Sequence, residues 1–187
     1  MIMGDRVTYY MVEMDYPHET EQERTDFDNF YDKHITMLLT IPGFLTAQRF
    51  YCPESLRAPF LAIYRLSAPE VLTSRSYTSK AGRMSVDPAF RVNMKNWDRN
   101  IVQGPIGTVE PDLSIEKGET ITMVDRLDSE TFPLPEELIP MDVVGLDQTV
   151  IQRGVATREL FFDRIEEGWE IRKWRPIHDV RVPPRKP

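Results

Sequence analysis

The stretch Phe27-Asp-Asn-Phe-Tyr-Asp-Lys-His-Ile-Thr-Met-Leu-Leu39 decides most of the fold that this sequence predicts. Its apolar and aromatic side chains recur every three or four residues, the spacing of one helix face; they are Phe27, Phe30, Tyr31, His34, Ile35, Leu38 and Leu39. Thr20 and Glu23 have the spacing of a capping box, which predicts where the helix begins. Pro42-Gly43 predicts its end, because proline disfavours helical geometry in the preceding residue and glycine permits a reversal.

Extended segments lie on both sides of this helix. Arg6 to Met14 is rich in residues that suit a strand and is apolar on both alternating faces, so it requires cover on both sides. Phe44 to Tyr51 and Pro59 to Leu66 are separated by a polar link of hairpin length and predict an antiparallel pair. Ala68-Pro69-Glu70 has the marks of a helix start, with proline at a first-turn position, and a second helical stretch is expected from Asp87-Pro88 through Trp97. The predicted order is therefore strand, helix, strand, strand, helix.

The position of a fourth strand stays open. Gly107 to Leu113 is interrupted by Pro111, and Glu119 to Leu127 is a better strand that arrives late. Beyond about residue 118 the chain becomes strand-rich and has no second long amphipathic helix. We therefore expect a first domain at residues 1–118 and a strand-rich C-terminal module with an extended tail at residues 119–187.

Composition narrows the classes of function. The chain has 187 residues and a formal net charge of -7, which argues against nucleic acid as a partner. No apolar run is long enough to span a bilayer and no signal peptide is recognisable, so we expect a cytoplasmic protein that does not bind membranes. The three histidines lack metal-ligand spacing, only one cysteine is present, and no phosphate loop or dinucleotide fingerprint occurs. We therefore expect neither a metal nor another cofactor.

Three segments together resemble the EthD-like branch of the dimeric α/β-barrel proteins. They are Asp26-Phe-Asp-Asn-Phe-Tyr-Asp-Lys-His34, Ile41-Pro-Gly-Phe-Leu-Thr-Ala-Gln-Arg-Phe50 and Phe60-Leu-Ala-Ile-Tyr-Arg-Leu66, and the resemblance covers about residues 6–100. It implies an α+β fold, in which a ferredoxin-like βαββαβ antiparallel sheet forms a dimeric α/β barrel with a second copy. A homodimer is therefore expected. The sequence leaves open whether the C-terminal module is a degenerate second repeat that closes the barrel within one chain.

Seven residues are candidates for chemistry. His34 lies on the inner stripe of the helix, and an imidazole of near-neutral pKa can serve as a general acid or base. Tyr10 and Tyr51 could polarise an oxygen of the substrate, and Arg49 could bind a carboxylate through its planar fork of donors. Further contacts with a substrate are expected from the aromatic residues Tyr31, Tyr64 and Trp97.

The function that these residues favour is a cofactor-independent lyase or isomerase, decarboxylation or proton transfer included. Its substrate would be a small aromatic or apolar carboxylate, or an enolisable compound. A cofactor-free monooxygenase is the nearby alternative, and it would be distinguished by the consumption of oxygen. The alternative from another class is a noncatalytic ligand-binding or assembly protein, which a barrel filled by its own side chains would favour.

Overall fold

The computed structural model describes residues 6–55, 57–82, 85–126 and 133–185. Within them the chain forms eight strands that close into one barrel, and each adjacent pair of strands is antiparallel. The strands are β1 (Thr8–Asp15), β2 (Phe44–Tyr51), β3 (Phe60–Leu66), β4 (Lys95–Gln103), β5 (Ile121–Arg126), β6 (Ile139–Leu146), β7 (Gln152–Ala156) and β8 (Trp169–Pro176). The helices are α1 (Glu21–Leu38), α2 (Arg75–Thr78) and α3 (Pro88–Arg91), with a 3-10 helix at Pro69–Thr73.

The order of strands around the barrel is β1, β3, β2, β8, β5, β7, β6, β4, and β4 returns to β1. Each half of the chain supplies four neighbouring strands. Two seams join the halves: β2 pairs with β8 at Phe50 and Pro176, and β4 pairs with β6 from Asn100 and Leu146 onward. Both seams connect residues far apart in sequence, so barrel closure depends on contacts that a local sequence pattern does not predict.

Strand β1 separates two cores. Tyr9 and Met11 belong to an apolar cluster in the barrel interior, together with side chains from the C-terminal strands. Tyr10 and Val12 belong to the other cluster, which lies on the outer face of the barrel beneath α1. This alternation explains why both faces of the strand are apolar, since each face packs against a different core.

Helix α1 covers the outer face of the first four strands. Its capping box is formed as the sequence predicts: the Thr20 hydroxyl accepts from the Glu23 N–H, and the Glu23 carboxylate accepts from the Thr20 N–H. The buried face includes Phe27 and Ile35, both fully inaccessible to solvent. The helix therefore covers the face of β1 that carries Tyr10.

The expected fold class is wrong. A ferredoxin-like α+β sheet that forms a dimeric α/β barrel was predicted, whereas one chain closes an eight-stranded antiparallel barrel by itself. The C-terminal strands supply the cover that the sequence assigned to a second copy. The homodimer was expected because a second copy would complete the barrel, and one chain now completes it. The homodimer stays a prediction, since nothing in a single chain tests it. The division into residues 1–118 and 119–187 also stays a prediction, although both parts contribute strands to the same barrel.

The second helix and the fourth strand were also predicted incorrectly. Only Pro88–Arg91 of the expected helix is helical, and Lys95–Gln103 is β4, the longest strand among the described residues. Neither earlier candidate is the fourth strand, because residues 107–113 are irregular and Ile121–Arg126 is β5. Leu127, the predicted end of the later candidate, lies outside the described residues. None of the described helices is long and apolar enough to cross a membrane.

Candidate active site

A pocket lies between the outer face of the barrel and the helical segments that cover it. It encloses about 400 Å³ of empty space, part of it continuous with solvent, of which about 20 Å³ is open to the centre of a water molecule. The described residues that line it are Tyr10, Val12, Phe30, Tyr31, His34, Leu38, Tyr64, Tyr77, Gly82, Val86, Met94, Trp97 and Arg99. The pocket is therefore a narrow, largely aromatic slot, and a ring-sized ligand requires side chains at its mouth to move.

Tyrosines from four elements face this slot. Tyr10 on β1 and Tyr64 on β3 are cross-strand partners, and their ring centroids are 5.6 Å apart. Burial raises the pKa of both phenols well above the ordinary value, and neighbouring phenols add to the effect. Burial also raises the pKa of Tyr31 to about 12, although the Arg49 guanidinium acts in the opposite direction. These phenols are therefore neutral near pH 7 and can donate an O–H to a ligand.

The hydroxyl of Tyr64 is a buried polar group without a hydrogen bond to any described residue. The phenol of Tyr31 is near enough to influence its pKa, but the two hydroxyls do not meet the geometry of a hydrogen bond. Buried hydroxyls are normally paired with protein or water. The Tyr64 hydroxyl is therefore available to a water molecule or a ligand in the pocket.

His34 projects from α1 into the same slot. Its ring lies beside those of Phe30 and Tyr31, with centroid separations of 6.0 and 5.8 Å. Burial lowers the pKa of the imidazole to about 4, although the residue as a whole is only partly buried. No described residue makes a hydrogen bond to the ring. The neutral imidazole can therefore accept a proton from a bound molecule.

Strand β4 supplies the remaining wall. Arg99 lies opposite Val12 of β1, so its side chain shares the outer face with Tyr10 and Trp97. The guanidinium is 3.5 Å from a carboxylate oxygen of Asp147, which is an ion-pair distance but a long hydrogen bond. The pocket thus places a cation beside aromatic rings and neutral hydrogen-bond donors.

The structure brings together five of the seven sequence-predicted residues: His34, Tyr10, Tyr31, Tyr64 and Trp97. The other two, which lie on β2, do not line the pocket.

Arg49 is fully buried against α1, where its guanidinium is 2.9 Å from the Asp28 carboxylate and 4.4 Å from the Tyr31 ring centroid. Tyr51 packs against Phe60, with ring centroids 5.1 Å apart. Both residues lie on β2, which contributes no described residue to the lining of the slot.

Sequence reasoning missed Tyr77 and Arg99 as pocket residues. Tyr77 belongs to the four-residue helix α2, which is too short to leave a periodic signal. Arg99 was overlooked because its segment was interpreted as helix. The alternation of Trp97, Arg99 and Ile101 on one face of a strand is the signal that could have identified it.

The barrel interior is filled by side chains and contains a buried ionic cluster. Glu13 and Asp125 are fully buried carboxylates that accept hydrogen bonds from the guanidinium groups of Arg153 and Arg172 at 2.5 to 2.9 Å. Burial by itself would raise the pKa of Glu13, but the two guanidinium groups outweigh it and hold the pKa well below its usual range. Across the described part of the chain, no group of three or more His, Cys, Asp or Glu side chains is arranged to hold a metal ion.

Comparison with known proteins adds one solved structure. No protein-family model and no curated protein sequence matches the chain. The structure described as "Crystal structure study of anthrone oxidase-like protein" is similar over 95% of this chain and 93% of that one, with a TM-score of 0.56 and 11% sequence identity. At this identity the likeness concerns the fold alone, and it extends over nearly the whole barrel. The resemblance to EthD-like proteins is not tested by these comparisons and stays a prediction.

Proposed function

We propose that the chain catalyses a cofactor-free oxidation, by molecular oxygen, of a small enolisable aromatic compound held in this pocket. The observation that carries the proposal is the composition of one aromatic slot. It is lined by the neutral imidazole of His34, which has no described hydrogen-bond partner, by the neutral phenols of Tyr10 and Tyr64, and by the cation Arg99. The protein of similar fold supports it, since that protein is described as anthrone oxidase-like and an anthrone is an enolisable aromatic ketone. Fold alone would not carry this argument.

The first step is removal of a proton from the carbon next to the ring system. His34 accepts this proton, and the electron pair of the C–H bond passes into the enolate. Tyr10 and Tyr64 line the same slot from the strands, and in this proposal their hydroxyls donate hydrogen bonds to the enolate oxygen. Their high pKa keeps them protonated while they do so.

Oxygen then reacts with the enolate carbon. The enolate transfers an electron to O₂, and recombination of the two radicals forms a C–O bond and a peroxide anion. The imidazolium of His34 returns its proton to this anion, which gives a hydroperoxide. Loss of water from the hydroperoxide leaves a carbonyl group, so a CH₂ group and O₂ become C=O and H₂O. His34 ends each cycle neutral, as it began.

The low pKa of His34 describes the pocket without a charged ligand. An imidazolium in apolar surroundings is unfavourable, which makes His34 a weak base there. An enolate that forms beside it supplies an opposite charge and raises the affinity of the ring for a proton. We therefore expect proton transfer to be driven by stabilisation of the ion pair in the slot.

Oxygen uptake with anthrone and smaller aryl ketones as probes tests this proposal. Rates are corrected for spontaneous oxidation and compared between the wild type and His34→Gln, which keeps one hydrogen-bonding group but cannot act as a base. We expect His34→Gln to lower the rate by roughly 10² to 10⁴. The control is His18→Gln, because His18 lies before α1, outside the lining of the pocket, with its ring beside the Tyr16 carbonyl.

The outcomes distinguish the alternatives. Turnover that continues unchanged without oxygen would contradict oxidation and favour the lyase or isomerase, which would use the same imidazole and phenols. Binding of the ketones without any turnover would favour a noncatalytic binding protein, a function consistent with the filled barrel interior.

A further inference from the structure

Arg99 is the only residue with a permanent charge among the described residues that line the pocket. Its neighbours are aromatic or aliphatic, and the one imidazole is neutral because burial lowers its pKa. The chain as a whole carries a formal net charge of -7. The nearest carboxylate, on Asp147, lies 3.5 Å from the guanidinium, so the charge of Arg99 is only loosely paired and can attract an anionic ligand into the apolar slot.

The donors of Arg99 are largely unengaged. A guanidinium has five N–H groups, and its side chain makes no hydrogen bond within the described residues. The Nε atom is buried and has no partner there, and the closest carboxylate oxygen, on Asp147, lies 3.5 Å from a terminal nitrogen. Since buried donors are normally satisfied, this arrangement points to a ligand that accepts hydrogen bonds.

Asp147 holds this part of β4 through the backbone. Its carboxylate accepts from the Arg99 N–H at 3.0 Å, and its own N–H donates to the Arg99 carbonyl at 2.9 Å. The flanking residues Leu146 and Gln148 both have positive φ, at 66° and 48°, a costly conformation for residues with side chains. The corner that anchors Arg99 is therefore fixed by contacts that do not use the guanidinium.

We infer that Arg99 binds the oxyanion of an aromatic ligand, a carboxylate, a phenolate or the enolate formed in the slot. This inference rests on the proposed function and deepens it, because it assigns the substrate class as aromatic compounds with an anionic oxygen. Arg49 was expected to bind a carboxylate, but its guanidinium lies against Asp28 outside the slot. Arg99 has the same fork of donors and faces the pocket.

The experiment compares two probes with the same ring system, 2-naphthoate and 2-naphthalenemethanol, by calorimetric titration. The variants are Arg99→Gln, which removes the charge, and Arg99→Lys, which keeps it. Arg175→Gln is the matched control, since it changes the net charge equally while Arg175 lies outside the pocket lining in a 3.8 Å ion pair with Glu54.

We expect wild-type protein to prefer naphthoate. Arg99→Gln should lower naphthoate affinity roughly 10-fold to 100-fold and leave the alcohol unaffected, which also shows that the pocket is intact. Arg99→Lys should retain part of the preference, and Arg175→Gln all of it. Equal affinities for the two probes in the wild type, or an unchanged preference in Arg99→Gln, would overturn the inference. Binding of neither probe would overturn it as well.

The titration needs neither oxygen nor turnover, so the two proposals fail separately. A preference for naphthoate that depends on Arg99, together with no oxygen uptake by any ketone, removes the oxidation and keeps the anion site. Oxygen uptake that depends on His34, together with no charge preference, keeps the oxidation and removes the role of Arg99.

Discussion

Replacing Glu13 by glutamine tests the ionic cluster in the barrel interior. Glu13 is fully buried and accepts hydrogen bonds from Arg153 at 2.6 Å, from Arg172 at 2.5 Å and from Arg57 at 3.0 Å. Glutamine keeps the shape but removes the charge, so two buried guanidinium groups must share the carboxylate of Asp125. Breaking a buried pair by removing one partner typically costs about 3 to 5 kcal/mol, and we expect a loss of this size at pH 7.

The effect has a defined pH dependence. The pKa of Glu13 is lower in the folded protein than in the unfolded chain, so its ionised form contributes stability above the unfolded pKa of about 4.3. This contribution is lost as the pH falls below that value towards the folded pKa. The difference in stability between the wild type and Glu13→Gln should therefore shrink by up to about 1.4 kcal/mol per pH unit below pH 4.

Urea unfolding followed by tryptophan fluorescence measures these differences, because Trp174 is fully buried beside the cluster. Glu170→Gln is the matched control: its carboxylate contacts Arg57 and Arg172, but a quarter of its side chain is exposed. We expect this control to lose less than about 1 kcal/mol. A Glu13→Gln loss no larger than that of the control, or one that is constant from pH 7 to pH 3, would refute this account of the cluster.

The pocket yields two further predictions. If catalysis needs neutral His34, kcat/KM should stay level as the pH falls from 8 to about 5 and decrease only near the pKa of about 4; a decrease centred at pH 6.5 would contradict the buried environment. Tyr64→Phe removes a hydroxyl without a described hydrogen bond, so stability should change by less than about 0.5 kcal/mol while turnover falls roughly 10-fold to 100-fold. Tyr9→Phe is its control, since the Tyr9 hydroxyl donates to the Pro111 carbonyl and accepts from the Leu113 N–H in the interior. Thermal unfolding should therefore show a loss of stability in Tyr9→Phe and not in Tyr64→Phe.

The elements that the sequence predicted well are those with a strong local period. The capping box at Thr20 and the stripe from Phe27 to Leu39 placed α1 within a few residues, and Phe44–Tyr51 was predicted with the bounds that the structure has. These signals are local, because capping and periodic burial depend on neighbours along the chain. The helical period also placed His34 on the covered face of α1, whereas Tyr10 and Tyr64 lie on the outer face of the barrel and not in its interior.

The elements that were missed depend on distant partners. Lys95–Gln103 follows Asp87-Pro88, a genuine helix start that outweighed the alternation of Trp97, Arg99 and Ile101, and pairing with β1 and β6 establishes the segment as a strand. That mistake also hid Arg99. Closure of the barrel by the C-terminal half depends on the seam between Phe50 and Pro176, which are 126 residues apart in the sequence. Such a contact has no signature in either segment, so the sequence could not decide between closure by a second copy and closure by the C-terminal module.

Strand β1 carries residues of the buried ionic cluster on one face and residues of the proposed active site on the other. Its inward residues, Met11 and Glu13 among them, contact Arg153 in the filled interior, whereas Tyr10 and Val12 line the pocket on the outer face. Successive side chains of a strand point to opposite sides, so a substitution on one face leaves the other face without a direct contact change. We therefore expect Tyr10→Phe to affect turnover with little effect on unfolding, and Glu13→Gln to show the reverse per folded molecule. Equal losses of both properties in both variants would mean that the two faces are coupled through the sheet.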